Sequence, residues 1–485
     1  MNTTADKLMP ISPKRAPRFS GAWGRVAVFL IVGYLAMGRS FAYLGLPWFS
    51  LYIGEMALAA FVLFGPKTSR GRWITVARRA PNLKLVKLFL LLSLGFGAFE
   101  ALRGILSGYP AFTAVRDTAF NYYPLFLFWG IWVGLKERDF LQRVVRALAW
   151  WNGVYGLTYV LLLGRLPWMM PGTTNAASDV PLFGQPGGSA IALLGLIALE
   201  PELRRVYHLL ALNLLVLVGL QIRAEWVGFT VGLLLLGWYT KQMKRIVFAG
   251  ASMAVLFGIM YVSKIDLPSP DSRGGRISVE SIVARAAAPV NKDFASDLVS
   301  DEDVGHFAGD ATWRLVWWAA IWSKVHGSAS SALFGLGYGY PLGDLNPFIE
   351  PGTFIQTPHN DFFYLLAFSG WVGVALFAWF QVELLRLLVR TCGINGQPFG
   401  LVSWAAFLAG SMFEPFFEGP MGAIPFYLLI GIALAPGITA SRASAALRSN
   451  TSLGRKLHPA DSASVVGAQD PNREPRKSDE GTAST

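Results

Sequence analysis

Apolar runs of roughly twenty residues recur along most of the chain, and they constrain its fold more than any other feature. A helix of that length crosses the hydrocarbon core of a bilayer, which is about 30 Å thick. Backbone polar groups must be paired within lipid, so the runs are predicted to be helices. About twelve spans are predicted, at residues 22–38, 48–64, 85–102, 119–135, 147–163, 186–199, 206–221, 225–240, 246–262, 362–384, 398–413 and 422–438. The predicted fold class is an all-α integral membrane protein.

The composition excludes an ordinary soluble domain. Only 15% of the 485 residues are charged and 53% are hydrophobic, whereas soluble domains carry about 25% charged residues. The single Cys392 excludes a disulfide framework and a cysteine-based metal site. The five histidines show no metal-binding spacing. The net charge of +12 would suit nucleic acid, but it lies in short loops between spans and therefore predicts membrane topology instead.

The loop charges alternate along the chain and predict which side of the membrane each loop faces. Loops 65–84 and 136–146 are rich in Lys and Arg, as are the segments after the sixth, eighth and tenth spans, whereas the alternate loops are poor. Because basic loops stay inside, both termini are predicted to be cytoplasmic. The first span has no convincing cleavage site after it and is expected to be retained. Loops 164–185, 263–357 and 414–421 are predicted to face outward.

This topology divides the chain into five parts. A cytoplasmic N-terminus covers residues 1–21, and nine transmembrane helices follow in 22–262. A long outward loop domain with short helices covers 263–357, and three more transmembrane helices follow in 358–438. The tail at 439–485 is rich in Ser, Ala, Pro and charged residues, so it is predicted to be disordered and cytoplasmic.

Polar residues in the long outward loop are the first candidates for chemistry, because membrane proteins concentrate chemistry where polar groups leave lipid. The segment 311–325 has helical periodicity that places Arg314 on one face with the apolar Trp318, Ile321 and Val325. Arg314 therefore begins a buried stripe and needs an anionic partner. The alternatives are contact with lipid headgroups and a local ion pair with Asp310.

Two further candidates lie at predicted membrane boundaries. Arg223 lies in the tight outward turn 221–225, where its planar guanidinium suits a phosphate group; the alternative is an ion pair with Glu225. His359 lies in Pro358-His-Asn-Asp361 before the tenth span and can exchange a proton near neutral pH. The alternative for His359 is an interfacial histidine with one hydrogen bond. Asn360 or Asp361 can cap the following helix.

Three other patterns point less clearly to function. The turn Gly335-Leu-Gly-Tyr-Gly339 lacks the features of a phosphate-binding or dinucleotide-binding loop, although the aromatic rings of Tyr338 and Tyr340 could stack on sugars. The run Asp301-Glu-Asp303 has the DxD form of metal-dependent sugar transferases, but no strand surrounds it, so a solvated acidic stretch is the better interpretation. Glu55 and Glu100 lie in or at the ends of apolar spans and either function there or pair with a neighbouring helix.

The order of these features resembles that of the bacterial O-antigen ligase and Wzy-type polymerase superfamily. The features are the outward arginine, the long outer loop, the Trp-rich helix that begins with arginine, the Gly-x-Gly turn and Pro-His-Asn. The resemblance is strongest from about Val180 to Val389 and includes the run from Phe362 to Gly373. The family usually has an acidic or polar residue shortly before the first glycine of that run, where this chain has Phe368-Ser369.

The resemblance implies a metal-independent, membrane-embedded glycosyltransferase of the GT-C-like kind, without a cofactor. Its donor would be a glycan on undecaprenyl diphosphate at the periplasmic face of the bacterial inner membrane, and its acceptor a hydroxyl of a sugar or of a lipid-linked glycan. Arg223 and Arg314 would hold the donor diphosphate, and His359 would activate the acceptor hydroxyl. Asn360, Tyr338 and Tyr340 are predicted to contact substrate. Other polysaccharide-assembly proteins are possible partners, and nucleic acid is not.

The chemistry is shared by two kinds of enzyme. A polymerase extends an O-antigen or exopolysaccharide chain, and a ligase attaches the glycan to lipid A–core. The long chain and extended outer loop slightly favour the polymerase. A lipid-linked glycan flippase and a non-enzymatic assembly subunit are alternatives of other classes. A flippase would need charged or helix-breaking residues deep in several spans, whereas the polar candidates here cluster on one predicted side.

Overall fold

The structure is a computed structural model that describes residues 21–46, 51–65, 83–137, 139–170, 180–241, 243–270, 276–349 and 357–456. Side chains are described to residue 439, except for that of Asp310. The chain forms one compact unit to Thr439 and a second that begins at Ala440. Of the second unit the structure describes helical backbone to Lys456, so most of the tail predicted to be disordered lies outside the described residues.

The described chain is mostly helical. In chain order its α-helices are α1 Ala22–Ala42, α2 Ile53–Phe64, α3 Lys84–Leu106, α4 Ala111–Asp117, α5 Ala119–Tyr122, α6 Phe126–Lys136, α7 Phe140–Leu161, α8 Ser189–Leu199, α9 Tyr207–Leu220, α10 Arg223–Thr240, α11 Met243–Val262, α12 Val279–Ala287, α13 Lys292–Ser296, α14 Asp301–Val325, α15 Ala329–Phe334, α16 Asp361–Asn395, α17 Phe399–Ser411 and α18 Pro420–Lys456. Two antiparallel pairs of two-residue strands accompany them, β1 Gly45–Leu46 with β2 Leu51–Tyr52, and β3 Leu267–Pro268 with β4 Arg276–Ile277.

Each of the twelve predicted spans contains helix in the structure. Six helices in the described part of the chain are long and apolar enough to cross a membrane by length and composition: Ala22–Ala42, Lys84–Leu106, Leu203–Leu220, Met243–Val262, Asp361–Asn395 and Pro420–Thr439. Three shorter apolar helices, Ile53–Phe64, Ser189–Leu199 and Phe399–Ser411, match further predicted spans. The chain is therefore a helical protein with several membrane-spanning candidates, and twelve crossings remain a prediction.

The helix α16 is broken at Gly370, and the break positions the Gly335–Gly339 turn. In α16 Gly370 leaves helical geometry, with φ 59° and ψ −164°. The break removes intrahelical partners from the carbonyls of the preceding turn. The N–H groups of Leu336 and Gly337 donate to the carbonyls of Ala367 and Phe368 at 2.7 and 3.2 Å. The Gly335–Gly339 turn thus supplies hydrogen-bond donors to carbonyls beside the break in the helix.

Glycine is required at this junction. Gly335, Gly337 and Gly339 all have positive φ, at 70°, 92° and 85°. A Cβ on Gly335 would lie 2.5 Å from the backbone of Phe368, and one on Gly370 would lie 2.4 Å from the carbonyl oxygen of Leu333. The Gly-x-Gly-x-Gly pattern is therefore explained by close backbone packing.

The segment 263–357, predicted to be an outward loop domain, contains the helix α14, which is longer than the predicted 311–325. Ser300 caps its N-terminus by accepting the N–H of Asp303 at 3.2 Å, and its hydroxyl donates to the Asp303 carboxylate at 2.8 Å. Trp317, Ile321 and Val325 are fully buried. Trp318, next to this buried face, stacks on Phe363 and holds α14 over the start of α16.

Candidate active site

Arg314 and His359 converge on a carboxylate that the sequence interpretation did not select. The Nδ1 atom of His359 lies 3.4 Å from Oε2 of Glu414, and Nη2 of Arg314 lies 3.9 Å from Oε1 of the same residue. Arg314 also donates from Nη1 to the carbonyl of Phe413 at 2.7 Å. The three side chains are half-buried, at 16% exposure for Arg314, 31% for His359 and 21% for Glu414. The three side chains therefore contact one another while each keeps part of its surface exposed.

The local sequence explains how His359 is presented. His359 has φ 52°, in the left-handed region that non-glycine residues adopt uncommonly. Asn360 then caps α16, since its side-chain oxygen accepts the N–H groups of Phe362 and Phe363 at 2.9 and 3.1 Å. A left-handed residue before an N-cap turns the chain sharply, so the imidazole points away from the helix toward Glu414.

Arg223 also contacts α14, about two turns before Arg314. It is the first residue of α10, and its Nη2 donates to the carbonyl of Phe307 at 2.9 Å. Phe307 precedes Arg314 by seven residues, so the two share a helix face and are separated by about 10 Å along the axis. The alternative partner Glu225 is buried, 4% exposed, and faces the backbone N–H groups of Ser189 and Ala190. The structure therefore brings Arg223 to the same helix as Arg314.

Glu414 lies in residues 412–419, between α17 and α18, which we call the 412–419 loop. The loop charges predicted that residues 414–421 face outward, but no local pattern marked Glu414 as functional. It follows His359 by 55 positions in the sequence, and only the packing of α16 beside α17 makes the two neighbours. The alternative partner proposed for Arg314, Asp310, has its side chain outside the described part of the structure.

Aromatic rings form one wall beside the histidine. Trp313 contacts the His359 ring edge-on, with 5.6 Å between centroids. Trp318 stacks on Phe363 at 5.2 Å and donates from Nε1 to the carbonyl of Pro358 at 2.7 Å. These contacts hold the His359 turn against α14, and such rings are also suited to packing against sugar faces.

The predicted substrate contacts of the two tyrosines are not equally accessible. Tyr338 is 1% exposed, its hydroxyl donates to Asn121 at 2.6 Å, and burial raises the pKa of this hydroxyl. Tyr340 is half-buried and packs edge-on against Tyr109 at 5.6 Å. Gly339 N–H donates to Asp117 at 2.9 Å. In this structure Tyr338 contributes to packing of the turn, and the predicted sugar contacts of both tyrosines remain predictions.

Asp117 and Glu418 are two further carboxyl groups that interact electrostatically, and Glu418 lies in the same 412–419 loop as Glu414. Burial raises the pKa of Asp117 to about 6, although the Gly339 N–H and Arg116 act in the opposite direction. Burial, followed by the charges of Asp361 and Asp117, raises the pKa of Glu418 well above its usual value. Neither carboxyl oxygen of Glu418 is solvent-accessible or has a hydrogen-bond partner among the described residues. Glu418 is therefore expected to carry a proton at neutral pH.

The remaining acidic candidates are either exposed to solvent or paired within the protein. Asp301 and Glu302 are exposed in the first turn of α14, as expected for a solvated acidic stretch. Glu55 accepts a hydrogen bond from Tyr123 at 2.8 Å, and Glu100 pairs with Arg103 on its own helix and not with a neighbouring one. Within the described residues, no group of three or more His, Cys, Asp or Glu side chains could hold a metal ion.

Arg314 and His359 meet at Glu414, and Arg223 contacts the same helix as Arg314. The family model described as O-antigen ligase, Wzy_C, matches residues 208–378. The resemblance to the O-antigen ligase and Wzy-type superfamily is confirmed. The matched segment contains Arg223, Arg314 and His359 but ends before Glu414. No curated protein matches the chain. The match supports an O-antigen ligase or polymerase type of function, and thus an enzyme, in a multi-pass membrane protein.

Proposed function

We propose that this protein is a membrane glycosyltransferase that moves a glycan from undecaprenyl diphosphate to an acceptor sugar hydroxyl at the periplasmic face of the bacterial inner membrane. The observation that carries the proposal is the convergence of Arg314 and His359 on Glu414, beside a helix that Arg223 also contacts. Cations that could hold a diphosphate and a base that could accept a proton lie together there. The family match supports the reaction class.

The donor diphosphate is proposed to lie along α14 between Arg223 and Arg314. Glycosyl transfer from a diphosphate develops negative charge on the leaving group, and fixed guanidiniums stabilise that charge without a divalent ion. The planar fork of Arg314 is oriented by the carbonyl of Phe413. Its contact with Glu414 is long, at 3.9 Å, so a phosphate oxygen can compete for the guanidinium while Glu414 stays with His359.

His359 is proposed to be the base. When Glu414 accepts the Nδ1–H of the imidazole, the Nε2 lone pair is left to accept a proton, which is the role a carboxylate has beside a catalytic histidine. The acceptor oxygen would attack the anomeric carbon as its proton passes to Nε2. The bond between that carbon and the diphosphate oxygen would break, and undecaprenyl diphosphate would leave as the anion. A positioned base of this kind contributes about 10²–10⁴ in rate.

The acceptor distinguishes a polymerase from a ligase. We favour a polymerase that extends O-antigen or exopolysaccharide chains, because the outer loop domain is extended and contains the 25-residue helix α14. The ligase is the second candidate, since the matching family model is described as O-antigen ligase. A polymerase would accept a second lipid-linked repeat unit, whereas a ligase would accept lipid A–core.

The test uses purified full-length protein with an undecaprenyl-diphosphate glycan and either acceptor, with and without EDTA. We expect product that is unaffected by EDTA and lost when Arg223, Arg314 or His359 is replaced singly by alanine in protein that remains folded. Product retained by all three variants would reject the enzyme proposal and leave a flippase or an assembly subunit. Loss of activity in EDTA that a divalent ion restores would reject metal independence.

A further inference from the structure

A buried carboxylate joins the turn that presents His359 to the loop that carries Glu414. Asp361 is 1% exposed. Its Oδ2 accepts the N–H groups of Phe416 and Phe417 at 3.2 and 3.0 Å, and its Oδ1 accepts the N–H of Glu418 at 3.2 Å. One side of the 412–419 loop is thus fixed to a residue two positions after His359.

The other side of the loop is fixed by the neighbouring residue. The amide of Asn360 donates to the carbonyl of Met412 at 2.9 Å, while the side-chain oxygen of the same residue caps α16. Glu414 lies between these two anchors, at Met412 and at Phe416. Both anchors start from residues directly after His359, so the position of Glu414 relative to the imidazole is set by more than its own contact of 3.4 Å.

We propose that Asp361 is a positioning residue that holds Glu414 against His359 and Arg314 by binding the backbone of the 412–419 loop. This inference rests on the proposed function, because the position of Glu414 matters only if His359 acts as a base. Asparagine at position 361 would have one acceptor oxygen and would aim an amide N–H₂ at backbone donors. At least one N–H in the loop would lose its partner, and the loop would move away from the histidine.

The first test measures amide hydrogen exchange in the intact, detergent-solubilised protein. In D361N we expect peptides that cover residues 412–419 to exchange about tenfold faster or more, because local opening no longer breaks all the hydrogen bonds that the Asp361 carboxyl group accepts. Glu200 provides a matched control, since it is buried and binds Arg146 through both oxygens at 2.6 Å. E200Q should leave the loop at its wild-type rate. Unchanged exchange in D361N would overturn the proposal.

A second variant covers the case in which D361N does not fold. N360D keeps an oxygen that caps α16 but loses the amide that donates to Met412, so it releases the loop from its other anchor. We expect faster exchange in the same peptides, without loss of protection in α16. Protection of the loop at the wild-type level in N360D would contradict the two-anchor arrangement.

The decisive test is a double-mutant cycle on glycan transfer. We expect D361N and E414Q each to lower kcat by about 10–100-fold, and the double variant to lie within about threefold of the worse single one, since both act through the same contact. Losses that multiply in the double variant would mean that Asp361 is merely structural. Failure of the wild-type protein to transfer glycan would instead reject the proposed function, and hydrogen exchange would still decide whether Asp361 holds the loop.

Discussion

Replacement of His359 by asparagine separates catalysis from stability. The histidine has φ 52°, and the left-handed conformation costs a non-glycine residue about 1–2 kcal/mol. Asparagine tolerates this region better, so H359N relieves part of the cost. It also removes a long, part-exposed contact with Glu414, worth about 0–1 kcal/mol, and an edge-on contact with Trp313, worth about 0.5–1.5 kcal/mol. These effects nearly cancel, and we expect H359N to change the free energy of unfolding by no more than about 1 kcal/mol.

The same substitution should lower the transfer rate by about 10²–10⁴, because it removes the proposed base. H359A should lose the rate equally but be less stable than H359N by about 1 kcal/mol, since alanine keeps the strained backbone without compensation. The assays are thermal unfolding in detergent and initial rates with a lipid-linked donor. H306N is the control, because His306 is an exposed histidine within α14. Wild-type activity in H359N would refute the role as base, and H359A as stable as H359N would refute the strain argument.

Three further substitutions test the site and its support. R314K should reduce kcat/KM for the donor by tenfold or more, equivalent to about 1.4 kcal/mol, because an ammonium cannot bind the Phe413 carbonyl and a phosphate in one plane. Initial rates over a range of donor concentrations measure kcat/KM, and a wild-type value would contradict the prediction. G370A should prevent recovery of folded protein, because position 370 has a positive φ and the new Cβ would lie 2.4 Å from a carbonyl oxygen. G258A is the control, since Gly258 faces open space on α11, and it should fold normally. Size-exclusion chromatography measures the recovery of folded protein, and equal recovery of the two variants would refute the packing argument. Burial and nearby carboxylates raise the pKa of Glu418 in the folded protein. In the unfolded chain the same carboxyl group has its ordinary pKa of about 4.3 and loses its proton above that pH, while the folded protein keeps it. Stability should therefore fall as pH rises above that value, and E418Q should unfold at increasingly higher temperature than wild type between about pH 5 and 8; parallel curves would contradict the assignment.

The helices were predictable because length and hydropathy are local properties. Every predicted apolar run contains helix, including the short segment before Leu199. That segment begins only at Ser189, because the glycines before it pack against α1, where Gly187 N–H donates to the carbonyl of Leu35 at 2.8 Å. The start of α14 was predicted about ten residues late, although Ser300 with Asp303 is a helix-capping signal that could have placed it.

The site was predictable only in part, for a physical reason. Arg314 could be selected because it begins an apolar helix face, and His359 because it lies directly before a predicted span. Glu414 could not, because its role depends on the packing of α16 beside α17. The break at Gly370 is stabilised in the same way by N–H groups of Leu336 and Gly337, and such long-range partners leave no mark in a local pattern.

The measurement that tests the central claim most directly is glycan transfer by purified protein from a defined undecaprenyl-diphosphate donor, compared between wild type and R314A, H359A and E414Q. The account predicts product from the wild type, and losses of about 10²–10⁴ in H359A, with smaller losses in E414Q. Product at the wild-type rate from folded R314A and H359A would contradict it.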